Sequence, residues 1–120
     1  MADKRLLVVD DQPALGEIVR RAAEEMGYEV RVAVHAEEFM EAFDAFDPTV
    51  VVLDIVMPDI DGIELVSWLV ARKCQAKILV ASGYNARYAK MAETLGADKG
   101  LQISFLEKPF RIADLRAALS

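Results

Sequence analysis

Asp10 and Asp11 follow the apolar run Leu6-Leu7-Val8-Val9, and Asp54 follows Val50-Val51-Val52-Leu53. Ser82 follows Ile78-Leu79-Val80-Ala81, and Lys108-Pro109 follows Ile103-Ser104-Phe105-Leu106-Glu107. If these runs are parallel strands of one open sheet, the polar residues after them gather at its carboxyl edge, where α/β sheets place their sites. Three carboxylates, a hydroxyl and an ammonium then share one pocket. Carboxylates crowded in this way repel one another strongly at an intermediate dielectric. A hard divalent cation relieves that repulsion, and Mg²⁺ characteristically combines one or two carboxylates with waters and a phosphate oxygen. The Lys108 ammonium can pair with Asp54 and then with a phosphoryl oxygen, and the Ser82 hydroxyl can donate to another. A carboxylate is a competent nucleophile towards a transferring phosphoryl group. Taken singly, each feature has an ordinary explanation: acidic residues end many strands, serine before Gly83 suits a turn, and a strand-end lysine is usually solvated. Their joint placement after four separate apolar runs carries the argument.

The elements that must position these groups alternate strand and helix along the whole chain, the pattern of an α/β fold with a parallel sheet. Strand one is predicted at Arg5–Val9, and Pro13 sits where a first helical turn tolerates it. Ile18, Val19, Ala22, Ala23 and Met26 mark the apolar face of the first helix, which Gly27 should stop. Tyr28, Val30, Val32 and Val34 alternate, so strand two is predicted to be half exposed near a sheet edge. Phe39, Met40, Phe43 and Phe46 define the second helix, closed by Asp47-Pro48. Strand three, Thr49–Leu53, is apolar on both faces and should be central. Turn chemistry at Met57-Pro58-Asp59-Ile60-Asp61-Gly62 leads into a third helix with Ile63, Val66, Leu69 and Val70 on its buried side. Strand four covers Lys77–Ala81, a helix runs from about Asn85 to Leu95, and strand five covers Ile103–Glu107. A short final helix holds Ile112, Leu115 and Leu119, giving five strands and five helices.

A chain of 120 residues and 54% hydrophobic content has the length and composition of one globular domain. The single cysteine, Cys74, excludes a disulfide framework and a cysteine-based metal site. The first residues carry no signal-peptide pattern, and no apolar run reaches the roughly 18 residues of a membrane span. These features lead to the expectation of a soluble, cytoplasmic protein without membrane contact. The net charge of −6 argues against direct nucleic-acid binding. Residues 1–75 are strongly acidic, whereas residues 76–120 carry more basic than acidic side chains. A solvated helix face explains that basic segment at least as well as an acidic partner does.

Val8-Val9-Asp10-Asp11, Leu53-Asp54 with Met57-Pro58 and Asp61-Gly62, Ala81-Ser82-Gly83 and Glu107-Lys108-Pro109-Phe110 form a highly specific set. On these motifs the chain resembles, over residues 1–120, the receiver domain of two-component response regulators, including the chemotaxis-regulator type. The resemblance implies a flavodoxin-like, doubly wound sheet of strand order 2-1-3-4-5 with five surrounding helices. It implies that Asp54 accepts a phosphoryl group from a sensor histidine kinase or a histidine phosphotransfer protein. Asp11 would be a direct Mg²⁺ ligand and Asp10 would act through water. The Asp54 side chain and the Val56 carbonyl would complete the protein ligands. Ser82 and Lys108 would bind the phosphoryl oxygens, and Phe105 stands at the position of the family's switch aromatic. Such a domain is a signalling module rather than an enzyme, although it assists its own phosphorylation and dephosphorylation. The resemblance also implies an altered surface built from the helix after Ser82, strand five and the final helix, including Tyr84, Arg87, Tyr88, Lys90, Phe105 and Arg111. That surface is the candidate for contact with a downstream effector or output domain, and for a phosphorylation-dependent dimer.

Several positions depart from the commonest family pattern. Ser82 replaces the more frequent threonine, keeping the hydroxyl, and Phe105 lacks the hydroxyl of a tyrosine. Val56 and Tyr84 lie two residues past the acceptor and the hydroxyl residue, where an apolar pair should hinder an attacking water, so slow self-dephosphorylation is expected. The stretch from Leu95 to Ile103 is longer than usual. Three other function classes fit the residues less well. A Mg²⁺-dependent aspartyl-phosphate phosphatase needs Asp-x-Asp after strand one, where this chain has Asp10-Asp11-Gln12 and no cap insertion. A phosphorylation-independent pseudo-receiver would lack an acidic, hydroxyl or lysine element, and none is missing. A nucleotide or flavin binder would want a glycine loop after strand one, against Asp10-Asp11-Gln12-Pro13. Partner choice is expected to rest on the exposed face of the first helix, at Ala14, Glu17 and Arg21, and on the loop after Lys108. His35 is read as ending strand two or capping the second helix, and Trp68 as packing or half-exposed surface.

Overall fold

Five short runs rich in valine, leucine and isoleucine pair side by side in parallel, in the order β2-β1-β3-β4-β5. The structure is a computed structural model that describes residues 4–10, 12–54, 62–72, 76–82, 103–107 and 111–119, with the backbone alone for residues 54, 63, 66, 70, 82, 105 and 107. Strands β1 (Arg5–Val9), β2 (Glu29–Ala33), β3 (Val50–Asp54), β4 (Lys77–Ser82) and β5 (Ile103–Glu107) alternate with helices α1 (Pro13–Glu25), α2 (Ala36–Phe46) and α3 (Gly62–Ala71). The C-terminal helix, Ile112–Leu119, closes the described chain. The expected doubly wound sheet and its 2-1-3-4-5 order are thus present. The helix expected from about Asn85 to Leu95, and Cys74, lie outside the described residues.

Successive side chains of a strand point to opposite faces, and the sheet uses both. Leu7, Val9, Val51, Leu53, Ile78 and Val80 pack with Phe39, Leu65 and Leu69 under α2 and α3. Leu6, Val8, Val50, Val52 and Leu79 pack with Val19, Ala22, Ala23, Leu115 and Leu119 under α1 and the C-terminal helix. A sheet buried on both faces reads as continuous apolar runs, which is why the bounds of the inner strand β1 were legible to the residue. The α2–α3 layer is closed by aromatic contacts. The Trp68 ring stands at 5.3 Å from Phe43 and 6.1 Å from Phe39, both edge-on, and the Arg72 guanidinium lies over it at 4.3 Å.

The helix ends follow local chemistry. Pro13 opens α1 at a position where its missing N–H is not needed. Gly27, at φ +90°, closes α1. Its N–H reaches the Glu24 carbonyl while the Tyr28 N–H reaches that of Ala23, the paired bonds that a left-handed residue after a helix permits. Asp47 adopts φ 51° after α2, and the buried Pro48 follows. His35 is the N-cap residue of α2, as expected, but its side chain makes no capping hydrogen bond. Glu38 reaches back instead and accepts from the Val34 N–H at 2.7 Å, a relative of the capping box. Two readings of the apolar faces need correction. Ile18 is 43% exposed and Ile112 is 47% exposed, because each lies at the margin of its helical stripe, beyond the reach of the sheet. No helix among the described residues is long and apolar enough to cross a membrane.

Candidate functional site

Strand register determines which residues share the carboxyl edge. Val9 of β1 pairs with Leu53 of β3, so Asp10, the next residue, stands level with Asp54, the last residue of β3. Asp54 in turn pairs with Ala81, which places Ser82 one residue further along β4. Ser82 pairs with Glu107 at the end of β5, and Lys108 follows directly in sequence. Neighbouring strands lie about 4.8 Å apart. Three adjacent strands therefore carry Asp10, Asp54 and Ser82 along one edge, and a fourth ends beside them. The register thus keeps the carboxyl ends of these strands level.

Asp10 is the one described site residue with a described side chain. It is 3% exposed, and it is the buried charged residue among the described positions. A carboxylate taken out of water needs compensating partners. Its Oδ1 accepts the Gln12 N–H at 2.9 Å, the side-chain turn that aspartate favours two residues before a donor. Its own N–H donates to the Ala33 carbonyl at the end of β2 at 3.1 Å. The backbone of Gln12 also starts α1, since its carbonyl accepts the N–H groups of Leu15 and Gly16. One short segment therefore aims the carboxylate and begins the helix. Gln12 was absent from the sequence reading of the site; an aspartate two residues before Gln-Pro was the signal that could have revealed it.

The donor set fits a hard cation. A buried aspartate carboxylate, oriented by a backbone N–H, stands level in register with a second aspartate at the end of the next strand, and oxygen ligands of this kind suit Mg²⁺. Asp11, Val56 and Lys108 lie outside the described residues, and Asp54, Ser82 and Phe105 are placed by their backbone.

On the first helix, Ala14 and Arg21 are exposed and Glu17 is half-exposed. Glu17 bonds to the Arg20 guanidinium, and this contact holds its carboxyl below the usual glutamate range. The stripe also includes Ile18, one of the residues that spacing assigns to the apolar face of α1. Helical spacing sets Ile18 and Glu25 on the same side of α1, and Glu25 pairs with Arg116 of the C-terminal helix. Ile112 lies one turn before Arg116. Both exposed isoleucines therefore flank the seam between the two helices.

Comparison with known proteins adds a further line of evidence. The family model of the response regulator receiver domain matches residues 6–120. Over 115 residues, 96% of this chain, the sequence is 35% identical to the transcriptional regulatory protein TrcR of Mycobacterium tuberculosis. The chain covers 43% of that protein, so it spans less than half the length of this relative. Among solved structures, the signal receiver domain of a response regulator from Bermanella marisrubri has a TM-score of 0.86 at 31% identity, covering 98% of this chain and 96% of that one. A response regulator from Burkholderia pseudomallei, described with a phosphorylated aspartic acid, a calcium ion and citrate, has a TM-score of 0.83 at 28% identity, covering 98% of this chain and 67% of that one.

Proposed function

This chain belongs to the response regulator receiver domains, and we propose that it acts as a phosphoacceptor through Asp54. The observation that carries the reading is the register at the carboxyl edge, which sets the buried Asp10 on one side of Asp54 and Ser82 on the other. In the proposed reaction an Asp54 carboxylate oxygen attacks phosphorus as the bond to the donor imidazole nitrogen breaks. The donor histidine keeps that electron pair and takes up a proton. Asp10, Asp11, Asp54 and the Val56 carbonyl would hold Mg²⁺, which supplies neutralisation of charge on the phosphoryl oxygens. The phosphorylated aspartate and the cation described for the Burkholderia pseudomallei relative support this assignment.

Lys108 and Ser82 are assigned to the phosphoryl oxygens. The modified residue gains roughly −1.5 to −2 charge at one spot, and both groups are drawn towards it. This biases an equilibrium between two arrangements of the surface near β5, in which Phe105 is the proposed switch aromatic. The donor is a sensor histidine kinase or a histidine phosphotransfer protein. Its docking surface is the seam of α1 and the C-terminal helix, where Ala14, Arg21, Ile18 and Ile112 are exposed. An exposed isoleucine pair framed by polar residues is the composition of a contact patch.

The test is intact mass after incubation with acetyl phosphate and Mg²⁺, alongside Asp54→Asn and a sample with EDTA. One phosphoryl group, absent from the variant and from the chelated sample, is the expected result. A folded, Mg²⁺-binding protein that gains no phosphoryl group either from acetyl phosphate or from a phosphorylated kinase would overturn the assignment in favour of a phosphorylation-independent binding module. Turnover of a generic phosphate ester would point instead to a phosphatase.

A further inference from the structure

The C-terminal helix is held unevenly along its length. Its eight residues are too few to persist as an isolated helix in water, so docking decides whether it forms. At its start Arg111, Ile112, Ala113 and Asp114 are all exposed. That turn is closed locally, by the Arg111 N–H donating to Asp114 Oδ2 at 3.1 Å. At its end Leu115 and Leu119 are buried in the core shared with α1. The last four carbonyls of an α-helix have no partner within the helix, and here two of them are taken by side chains distant in sequence. The Tyr28 hydroxyl donates to the Leu119 carbonyl at 3.0 Å. The Lys77 ammonium donates to the Ala118 carbonyl at 2.7 Å, a charge of the sign that a helix C-terminus favours. Arg116 adds its ion pair to Glu25 at the end of α1. Lys77 is also the first residue of β4, whose last residue is Ser82. The strand that ends in the proposed phosphoryl-binding hydroxyl therefore begins at the anchor of the C-terminal helix.

We infer that Tyr28 and Lys77 form a latch that makes the last turn of the C-terminal helix a fixed pivot. When the site is phosphorylated, the exposed first turn, which follows the Lys108 segment, moves while the last turn stays on the sheet. This rests on the reading of Asp54 as phosphoacceptor. The latch itself is present before any phosphoryl group arrives, so the two parts can be tested separately.

The experiment follows backbone amides by NMR in the full chain and in Tyr28→Phe, Lys77→Met and the double variant. Tyr28→Phe and Lys77→Met keep the apolar body of each side chain and remove the donor. In the unmodified proteins, amide hydrogen exchange at Ala117, Ala118 and Leu119 is expected to quicken roughly tenfold on loss of a donor, with β1 and β3 unchanged. A double variant whose last-turn exchange stays within about twofold of the parent would overturn the latch. After acetyl phosphate and Mg²⁺, with phosphorylation confirmed by intact mass, chemical-shift changes at Arg111–Asp114 are expected to exceed those at Ala117–Leu119. In the double variant both ends should shift. Equal changes at the two ends of the parent would overturn the pivot. Absence of a phosphoryl adduct would overturn the acceptor reading and the pivot with it, and the exchange data on the unmodified proteins would still decide the latch.

Discussion

Gly16 lets α1 pack closely on Val32 of β2, and replacing it tests how tight that approach is. A Cβ added at Gly16 would lie 2.7 Å from Val32 Cγ1, inside the distance that carbon atoms tolerate. Val32 is β-branched and stiff at χ1, so either its rotamer or the helix must move. Overpacking of this kind costs about 1–3 kcal/mol. Against it stands the gain of alanine over glycine in a helix interior, about 1 kcal/mol. Gly16→Ala alone should therefore destabilise by about 0–2 kcal/mol, the balance of those two effects. Val32 is half-buried, and Val32→Ala alone should cost about 1 kcal/mol of lost burial. In the Val32→Ala background the obstacle is gone, and Gly16→Ala should stabilise by about 1 kcal/mol. The decisive quantity is the coupling in the double-mutant cycle, about 1–3 kcal/mol in favour of the pair. Urea unfolding of the four proteins measures it; a coupling of about 2 kcal/mol moves the midpoint by roughly 1 M for a domain of this size. If Gly16→Ala stabilises equally in both backgrounds, the close approach is not limiting and the reasoning fails. The site should respond as well. The Gly16 N–H donates to the Gln12 carbonyl at 3.3 Å, and the Gln12 N–H orients Asp10, so a displaced α1 should slow phosphoryl acceptance from acetyl phosphate.

Asp10→Asn should weaken Mg²⁺ binding about 10–100-fold, the usual effect of removing an outer partner of a metal site, as read by calorimetric titration with the fold checked by circular dichroism. The phosphorylated protein should lose its phosphoryl group slowly, because the residues two positions past Asp54 and Ser82 in sequence are Val56 and Tyr84; a half-life of seconds by intact mass would refute that. Glu17 should titrate below the ordinary glutamate range, because the Arg20 guanidinium bonds to it, and Arg20→Met should return its NMR midpoint towards the usual value. The sign follows from the depressed folded-state value: the stabilisation is present above the unfolded-state pKa and is lost as pH falls through the folded one.

Legibility in the sequence followed how local each cause is. Arg5–Val9 was bounded to the residue, because a continuous apolar run closed by charged residues leaves few other readings; Ile103–Glu107 was bounded equally well although Ser104 interrupts it. The alternation of Tyr28, Val30, Val32 and Val34 identified an edge strand, and the observed β2 keeps its middle and loses both ends. Tyr28 is instead held by the last turn of the C-terminal helix, a partner that no local pattern announces. Ile18 and Ile112 have helical spacing from core residues and are nevertheless exposed. Periodicity defines a broad stripe, and only the neighbouring elements determine how much of it is covered. Trp68, expected as packing or half-exposed surface, is both, with its ring against Phe43 and the Arg72 guanidinium over it.

The sequence by itself determined the inventory: four apolar runs and one alternating strand, the helices α1, α2 and α3, and the reactive residue types immediately after the four runs. Those are consequences of local chemistry, since strand preference, helix caps and turn residues act over a few positions. Only the tertiary structure decided that the runs pair with their carboxyl ends level, so that Asp10 and Asp54 stand side by side. It also decided that Asp10 is buried against the Ala33 carbonyl and that Tyr28 meets Leu119 across 91 residues of chain. Register and burial depend on which faces the whole core can cover at once, a condition shared among all the elements and therefore written in no single stretch of residues.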